Sequence, residues 1–323
     1  MWRHLLAALL AACLTPSAGA ADSAADFPSK PIRIVVPFGA GGAGDQLARA
    51  MSASITEQTG KPVVVENRVG ANGAIGSAYV AQQPADGHTL LLATTSTHAG
   101  NAFLMKQMPY DPVKDFVPVT GVSRGELVLL VHPSLGVNTA QELVALAKKD
   151  PGAVSFASGN ASTRLASEIF ANATGTKLLH VPYKSNSLAV VDLLAGQVKM
   201  MIADTAVGAP YVRSGQLRAL GVTGKSREPD LPNVPTLREA GITNYESLPW
   251  WNAIYAPAGT PPAIVDKLNR ILVTATRSPA AAAFYKSSGA EMWTTTPAEL
   301  GQYQRIEAAK WKKAIDAAGM LPE

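Results

Sequence analysis

The chain has 323 residues, 47% of them hydrophobic and 16% charged, and a formal net charge of +4. That length supports a sizeable core and favours two lobes over one. Its 28 Lys and Arg are dispersed, with no basic run and no interleaved aromatic platform, which argues against a nucleic-acid partner and leaves a mild affinity for anions.

Residues 1–20 read as a cleavable export signal. Arg3 and His4 precede an apolar stretch from Leu5 to Leu14, and Ser17-Ala18-Gly19-Ala20 fits an A-x-A cleavage site before Ala21. The stretch is too short to span a bilayer, and no other segment reaches the ~20 apolar residues needed. Leu10-Ala11-Ala12-Cys13 has the form of a lipobox, but it lies unusually close to the start, so soluble export is expected over anchoring at Cys13. Cys13 is the only cysteine; the cleaved chain would hold none, which excludes disulfides, thiol nucleophiles and Cys-ligated metals.

Ile32, Ile34, Val35 and Val36 form an apolar β-branched run that stops at Pro37 and reads as a buried strand. Gly39, Gly41, Gly42 and Gly44 follow as a turn, and Asp45 stands where the N-cap of a helix from Gln46 onward belongs. Strand, glycine loop and helix start make an anion pocket. Gly39-x-Gly41-x-x-Gly44 also satisfies the dinucleotide fingerprint, with Glu66 after the next strand as the ribose acid, so an exported dinucleotide-dependent oxidoreductase is an alternative. Against it, Asp45 would face the pyrophosphate, and Glu66 runs straight into Asn67 and Arg68.

The pattern continues with a strand over Pro62 to Asn67, a helix opened by Gly70 to Gly76 and reaching about Ala81, and a strand over Thr89 to Thr94. Strands alternating with helices predict a parallel α/β sheet. Thr94, Thr95, Ser96, Thr97 and His98 follow the third strand at its carboxyl end, either binding an anion or capping a turn. Met108 to Phe116 is proline-rich connecting structure, and Leu127 to Pro133 is a strongly apolar strand suited to cross between lobes. Thr139 to Lys149 patterns as an amphipathic helix. Val154 to Ala166 then repeats strand, small polar loop and helix, giving the second lobe its own anion-type loop. Two such loops facing each other suggest a ligand clamped between lobes. Further strands are expected at His180 to Pro182, Val198 to Asp204 and Leu217 to Thr223, with a helix from about Ser187 to Leu194. Trp250 to Pro257 is expected to return beside Leu127 to Pro133, and helices over Thr260 to Thr276, Pro279 to Ser288 and Pro297 to Ala318 close the chain.

Taken together, these segments resemble the extracytoplasmic receptors of tripartite tricarboxylate transporters, the Bordetella uptake gene (Bug) family. The likeness lies in Pro28 to Phe38 with Gly41-Gly42-x-x-Asp45, in Val63 to Arg68 with Gly70-Ala71, in Pro84-x-Asp86-Gly87-x-Thr89-Leu90-Leu91 and in Pro109 to Phe116. It continues through Phe156-Ala157-Ser158, His180 to Lys184, Asp192 to Val198, Leu217 to Leu220, Pro232-x-Val234-Pro235-Thr236 and Ala256 to Pro262, covering essentially the whole mature chain.

The resemblance implies a type II periplasmic binding protein of the α/β class: lobe one spans residues 27–126 with 248–323, and lobe two 127–247. It implies a periplasmic monomer without cofactor or metal, closing on a small organic carboxylate and delivering it to integral membrane permease subunits. A receptor handing the loaded form to a signalling partner is the other binding role. Carried over by position, one loop supplies Phe38, Gly39, Ala40, Gly41, Gly42 and Asp45, and the other Ser158, Asn160, Ser162, Thr163 and Arg164, while Asp204 borders the cleft. This chain departs from the family in having Gly39-Ala40 where proline is frequent, Ala161 for a glycine and Arg164 for a histidine.

Several residues carry two readings. Arg164 either takes a ligand carboxylate bidentately or pairs with Glu168 at i+4. Of Trp250 and Trp251, which alternate across a strand, one faces the cleft or both pack in the core; Trp251 is taken as the cleft residue. Asp45 and Asp204 could form an acid/base pair, but a cap and a ligand acceptor are simpler roles. No G-x-S-x-G, H-E-x-x-H or metal-spaced histidine set is present, so no catalysis is assigned.

Overall fold

The computed structural model describes residues 25–322, so residues 1–20, expected to be an export signal, and with them Cys13, lie outside the described residues. The chain runs β1 (Ile32–Val36), α1 (Ala43–Thr59), β2 (Val63–Asn67), α2 (Ala74–Ala81), β3 (Thr89–Thr94), a π-helical turn (Ser96–Gly100) leading into α3 (Asn101–Leu104), and β4 (Phe116–Gly125). It crosses into β5 (Leu127–Val131), α4 (Ala140–Lys149), β6 (Ser155–Ser158), α5 (Ala161–Thr174), β7 (Leu179–Pro182), α6 (Asn186–Leu194), β8 (Met200–Asp204), α7 (Thr205–Arg213) and β9 (Arg218–Val222). It returns through β10 (Trp250–Pro257), α8 (Pro262–Ala275), α9 (Pro279–Ser288), β11 (Glu291–Met292) and α10 (Pro297–Ala317).

Two sheets result, ordered β11-β4-β10-β3-β1-β2 and β7-β6-β8-β5-β9. Each is a parallel unit into which one antiparallel strand is set, and the first carries a further antiparallel strand, β11, at its edge. In the first, β1 runs parallel to β2 and β3 while β10 runs antiparallel between β3 and β4. In the second, β6 runs parallel to β7 and β8 while β5 lies antiparallel between β8 and β9. Both inserted strands are buried along their whole length, as expected for strands covered on two faces. Only Glu126 separates β4 from β5, so the chain passes between sheets almost without a loop. The architecture is the two-lobed α/β fold expected.

Two expectations are corrected. Trp250–Pro257 does not return beside Leu127 but pairs with β3 and β4. Its apolarity identifies a central strand and says nothing of its neighbours. The neighbour β4 is a ten-residue strand where the sequence suggested only a proline-rich connection before it. Pro118, Gly121 and Gly125 obscure its pattern, and the structure accommodates them: register shifts occur within the β4/β10 pairing, and indole rings lie over the glycines. A Cβ on Gly121 would sit 2.6 Å from the Trp293 ring, and one on Gly125 2.7 Å from that of Trp250. Helix α7, with Pro210 inside it, is also absent from the pattern reading.

Candidate functional site

Four α-helices and one helical turn begin at the carboxyl ends of their strands and point their N-termini at one cavity of about 70 Å³ between the sheets. Its lining includes Gly42 to Asp45 where α1 starts after β1, and Thr95 and Ser96 where the π-turn starts after β3. From the second sheet come Asn160 and Ser162 at the start of α5, Ser185 to Ser187 at α6, and Asp204 at α7. The first N–H groups of a helix have no intrahelical acceptor, and the aligned peptide dipoles make that end positive. The helix starts therefore offer N–H donors and positive dipole ends without a cation, and among the described residues the charged side chains on the lining are Asp45 and Asp204. The volume corresponds to roughly five water-sized groups.

Asp45 does not cap α1 as the sequence suggested. Gly42, in extended conformation, is the N-cap and has no side chain to contribute, so Asp45 reaches back from the first turn. Its carboxylate accepts from Gly41 N (2.9 Å), Asn67 Nδ2 (3.0 Å) and Arg49 Nε (3.1 Å). Burial favours the neutral acid, but Arg49, Gly41 and Asn67 outweigh it and hold the pKa below the usual carboxylate range. Gly41, at φ +78°, and Ala40 form the outside of this turn and do not line the cavity. Gly39 packs on Ser185 of the other sheet; a Cβ there would lie 3.4 Å from the serine Cβ. Glu66, which the dinucleotide alternative needs for a ribose, is paired with Arg33 (3.2 Å) and Arg68 (2.6 Å).

In the second sheet, Asn160 caps α5 by accepting from Thr163 N (3.0 Å). Asn186 ties three elements together. Its Oδ1 accepts from Gly159 N (3.0 Å) and Thr163 Oγ1 (3.3 Å), and its Nδ2 donates to Asp204 Oδ2 (2.9 Å). Asp204 is partly open to the cavity yet surrounded by protein, and desolvation pushes its carboxyl up to about 6 despite the Asn186 bond. The two halves of the site touch. Ser96 Oγ meets Ser162 Oγ at 3.3 Å, and Ala161 N donates to Asn72 Oδ1 at 2.9 Å.

Of the residues expected at the site, Phe38, Gly39, Gly42, Asp45, Thr94, Ser96, Asn160, Ser162, Asp204 and Trp251 line this cavity. His98, Ser158, Thr163 and Arg164 do not. His98 is 1% exposed and sits among Tyr110, Phe116 and Tyr255, with burial lowering its pKa to about 3, so it is a neutral core residue. Ser158 Oγ is bonded to His180 Nε2 (2.7 Å), and Thr163 Oγ1 to the backbone and side chain of Asn160. Arg164 lies off the cavity on α5, where its charge opposes the upward push of burial on Glu168, which is the i+4 reading. Trp251 reaches the lining at the start of β10, but its ring packs edge-on to Trp293 and Tyr303, while its main-chain N–H donates to Thr95 Oγ1 (2.7 Å). Gly44 and Thr95, read from the sequence as part of the glycine turn and of the hydroxyl run, also line the cavity, whereas sequence reasoning missed Ser185, Asn186, Ser187 and Asn252. A signal existed for three of them, because β7, Ser185 and α6 repeat the strand, polar loop and helix pattern that found the other two loops.

A family model described as "Tripartite tricarboxylate transporter family receptor" matches residues 47–320. The UPF0065 protein of the tcbD-tcbE intergenic region of Pseudomonas sp. (strain P51) is 38% identical over 316 residues, 97% of this chain and 94% of that protein. Protein BugT of Bordetella pertussis is 36% identical over 319 residues, 98% of each. Among solved structures, R. palustris Rpa4515 with adipate aligns with a TM-score of 0.88 at 34% identity, covering 92% of this chain and all of that one. MatC from Rhodopseudomonas palustris with bound malate aligns with a TM-score of 0.84 at 27% identity, covering 90% and 100%.

Proposed function

The chain belongs to the tripartite tricarboxylate transporter receptor family, and from that premise we propose that it captures a small organic carboxylate in the cleft between its sheets. The observation that carries this is the convergence of helix N-termini from both sheets on a cavity lined by no cationic side chain. Main-chain N–H groups at Gly42 to Asp45 cradle the carboxylate from one lobe. Asn160, Ser162 and Ser185 to Ser187 complete the cradle from the other. Adipate and malate, bound in the two solved relatives, are organic acids of the class such helix starts would hold.

Capture and release follow from lobe motion about Glu126 and the return segment 247–249, which divides the chain into 27–126 with 248–323 and 127–247. The Gly39/Ser185, Ser96/Ser162 and Asn72/Ala161 contacts join the lobes when closed, and a ligand bridging them adds affinity that only the closed state has. The closed, loaded monomer is what the permease recognises in the periplasm, after removal of the export signal. In this reading the ligand is carried and not transformed, a role in keeping with an Asp45 carboxylate already held by Arg49, Asn67 and Gly41.

A thermal-shift screen of organic acids tests the reading. A ligand at 100 times its Kd stabilises by about 2.7 kcal/mol, which for a chain of this size raises Tm by about 4 °C. The reading fails if no acid raises Tm, or if an acid is consumed.

A further inference from the structure

Building on the carboxylate reading, we propose that the ligand also carries a hydrogen-bond donor, an alcohol or ammonium group near its carboxylate, and that Asp204 selects for it. The two acids on the lining are not equivalent. Asp45 has the guanidinium of Arg49, the amide of Asn67 and the main-chain N–H of Gly41, so its acceptor capacity is taken up by its own lobe. Asp204 has one side-chain donor, Asn186 Nδ2, no cationic side chain on the lining, and surface open to the cavity. A carboxylate offers about four acceptor positions, so with the Asn186 bond and its own main-chain N–H Asp204 keeps unfilled capacity toward the cavity.

Asn252 adds to this polarity. Its Nδ2 is committed to Ser123 Oγ (3.1 Å), leaving Oδ1 on the side of Gly44, at the α1 end of the cavity. The cavity therefore presents donors at the helix ends and acceptors at Asp204 and Asn252. An acceptor-only ligand group placed against Asp204 meets a like charge in a low-dielectric site, whereas an O–H or N–H forms a charge-assisted bond there. A 2-hydroxy or 2-amino acid satisfies both halves of the cavity, and its unsubstituted analogue satisfies one.

Calorimetric titration of the wild-type protein with matched acids of two to six carbons, each unsubstituted, 2-hydroxy and 2-amino, reads the selection directly. In at least one matched set the substituted acid should bind tenfold or more tightly than its parent. Asp204→Asn, which keeps the side-chain shape, should bring that ratio within about threefold, chiefly by tightening the parent acid. Binding of the parent acids as tightly as, or more tightly than, every substituted partner would overturn the inference and leave the carboxylate reading intact. A tenfold preference surviving in a folded Asp204→Asn protein would overturn the role of Asp204. Failure of every acid to bind would overturn both readings. The wild-type ratio decides the ligand class on its own if the variant does not fold.

Discussion

Asn186 holds the second half of the site together, and its removal has a calculable cost. Asn186→Ala deletes the acceptor for Gly159 N and Thr163 Oγ1 and the donor to Asp204, at a position only 8% exposed. Leaving a buried N–H without a partner costs about 1–3 kcal/mol, and loss of a bond to a charged group about 1.5–3 kcal/mol. Partial relaxation and overlap between the two bring the expected total to about 2–4 kcal/mol. With an unfolding entropy of roughly 0.6 kcal/mol/K for a chain of this size, Tm should fall by about 3–7 °C in scanning calorimetry without ligand. Loss of the Asn186 donor should also move Asp204 further up from its already raised pKa, observable by carboxyl NMR titration. A variant melting within 1 °C of wild type, or an unmoved Asp204, would refute the assignment of Asn186 as the junction of β6, α6 and β8.

Gly159→Ala should be severe, because its Cβ would fall onto the backbone of Ser185 and Asn186, which cannot rotate away; a loss of about 3 kcal/mol or more in urea titration is expected, together with weakened acid binding. Asp45→Asn should weaken carboxylate binding at least tenfold by loosening the Gly41 turn. Since the native Asp45 pKa lies below its unfolded value, the stability it contributes is present above the unfolded pKa and lost as pH falls through the folded one, so the variant should lack that acid-side slope. Glu228 is pushed the opposite way, to about 7, by burial and by Glu126 and Asp230. With the folded pKa above the unfolded one, stability is lost as pH rises from about 4 to 7, and Glu228→Gln should melt higher than wild type at pH 8, by about 1–2 kcal/mol, with the difference gone at pH 4.

The sequence carried the parallel strand and helix units because each is local: an apolar β-branched run, a glycine or hydroxyl loop, then a helix start, as at Ile32 to Arg49 and Val154 to Ala166. It pointed to strand-to-helix loops that line the cavity for the same reason, since such sheets present helix starts where strands end. What it lost depended on which way a side chain turns. His98 follows the correct strand but sits in a π-helical turn that rotates its ring into the Tyr110, Phe116 and Tyr255 cluster. Arg164 falls on the face of α5 beyond its first turn, off the lining. Asp45 looked like a cap because a capping residue was expected at the end of the glycine run, whereas Gly42 leaves the helix to be closed from inside. Strand β4 was lost because its glycines exist to receive the rings of Trp250 and Trp293, a long-range contact that leaves no periodic trace.

The carboxylate is expected to be held by helix N-termini without a cationic side chain. A crystal structure with a bound organic acid tests it most directly. A carboxylate within hydrogen-bond distance of the N–H groups at Gly42 to Asp45, with no Arg, Lys or His side chain within 4 Å, is the expected result. A carboxylate paired with Arg164 or any other cationic side chain would contradict it.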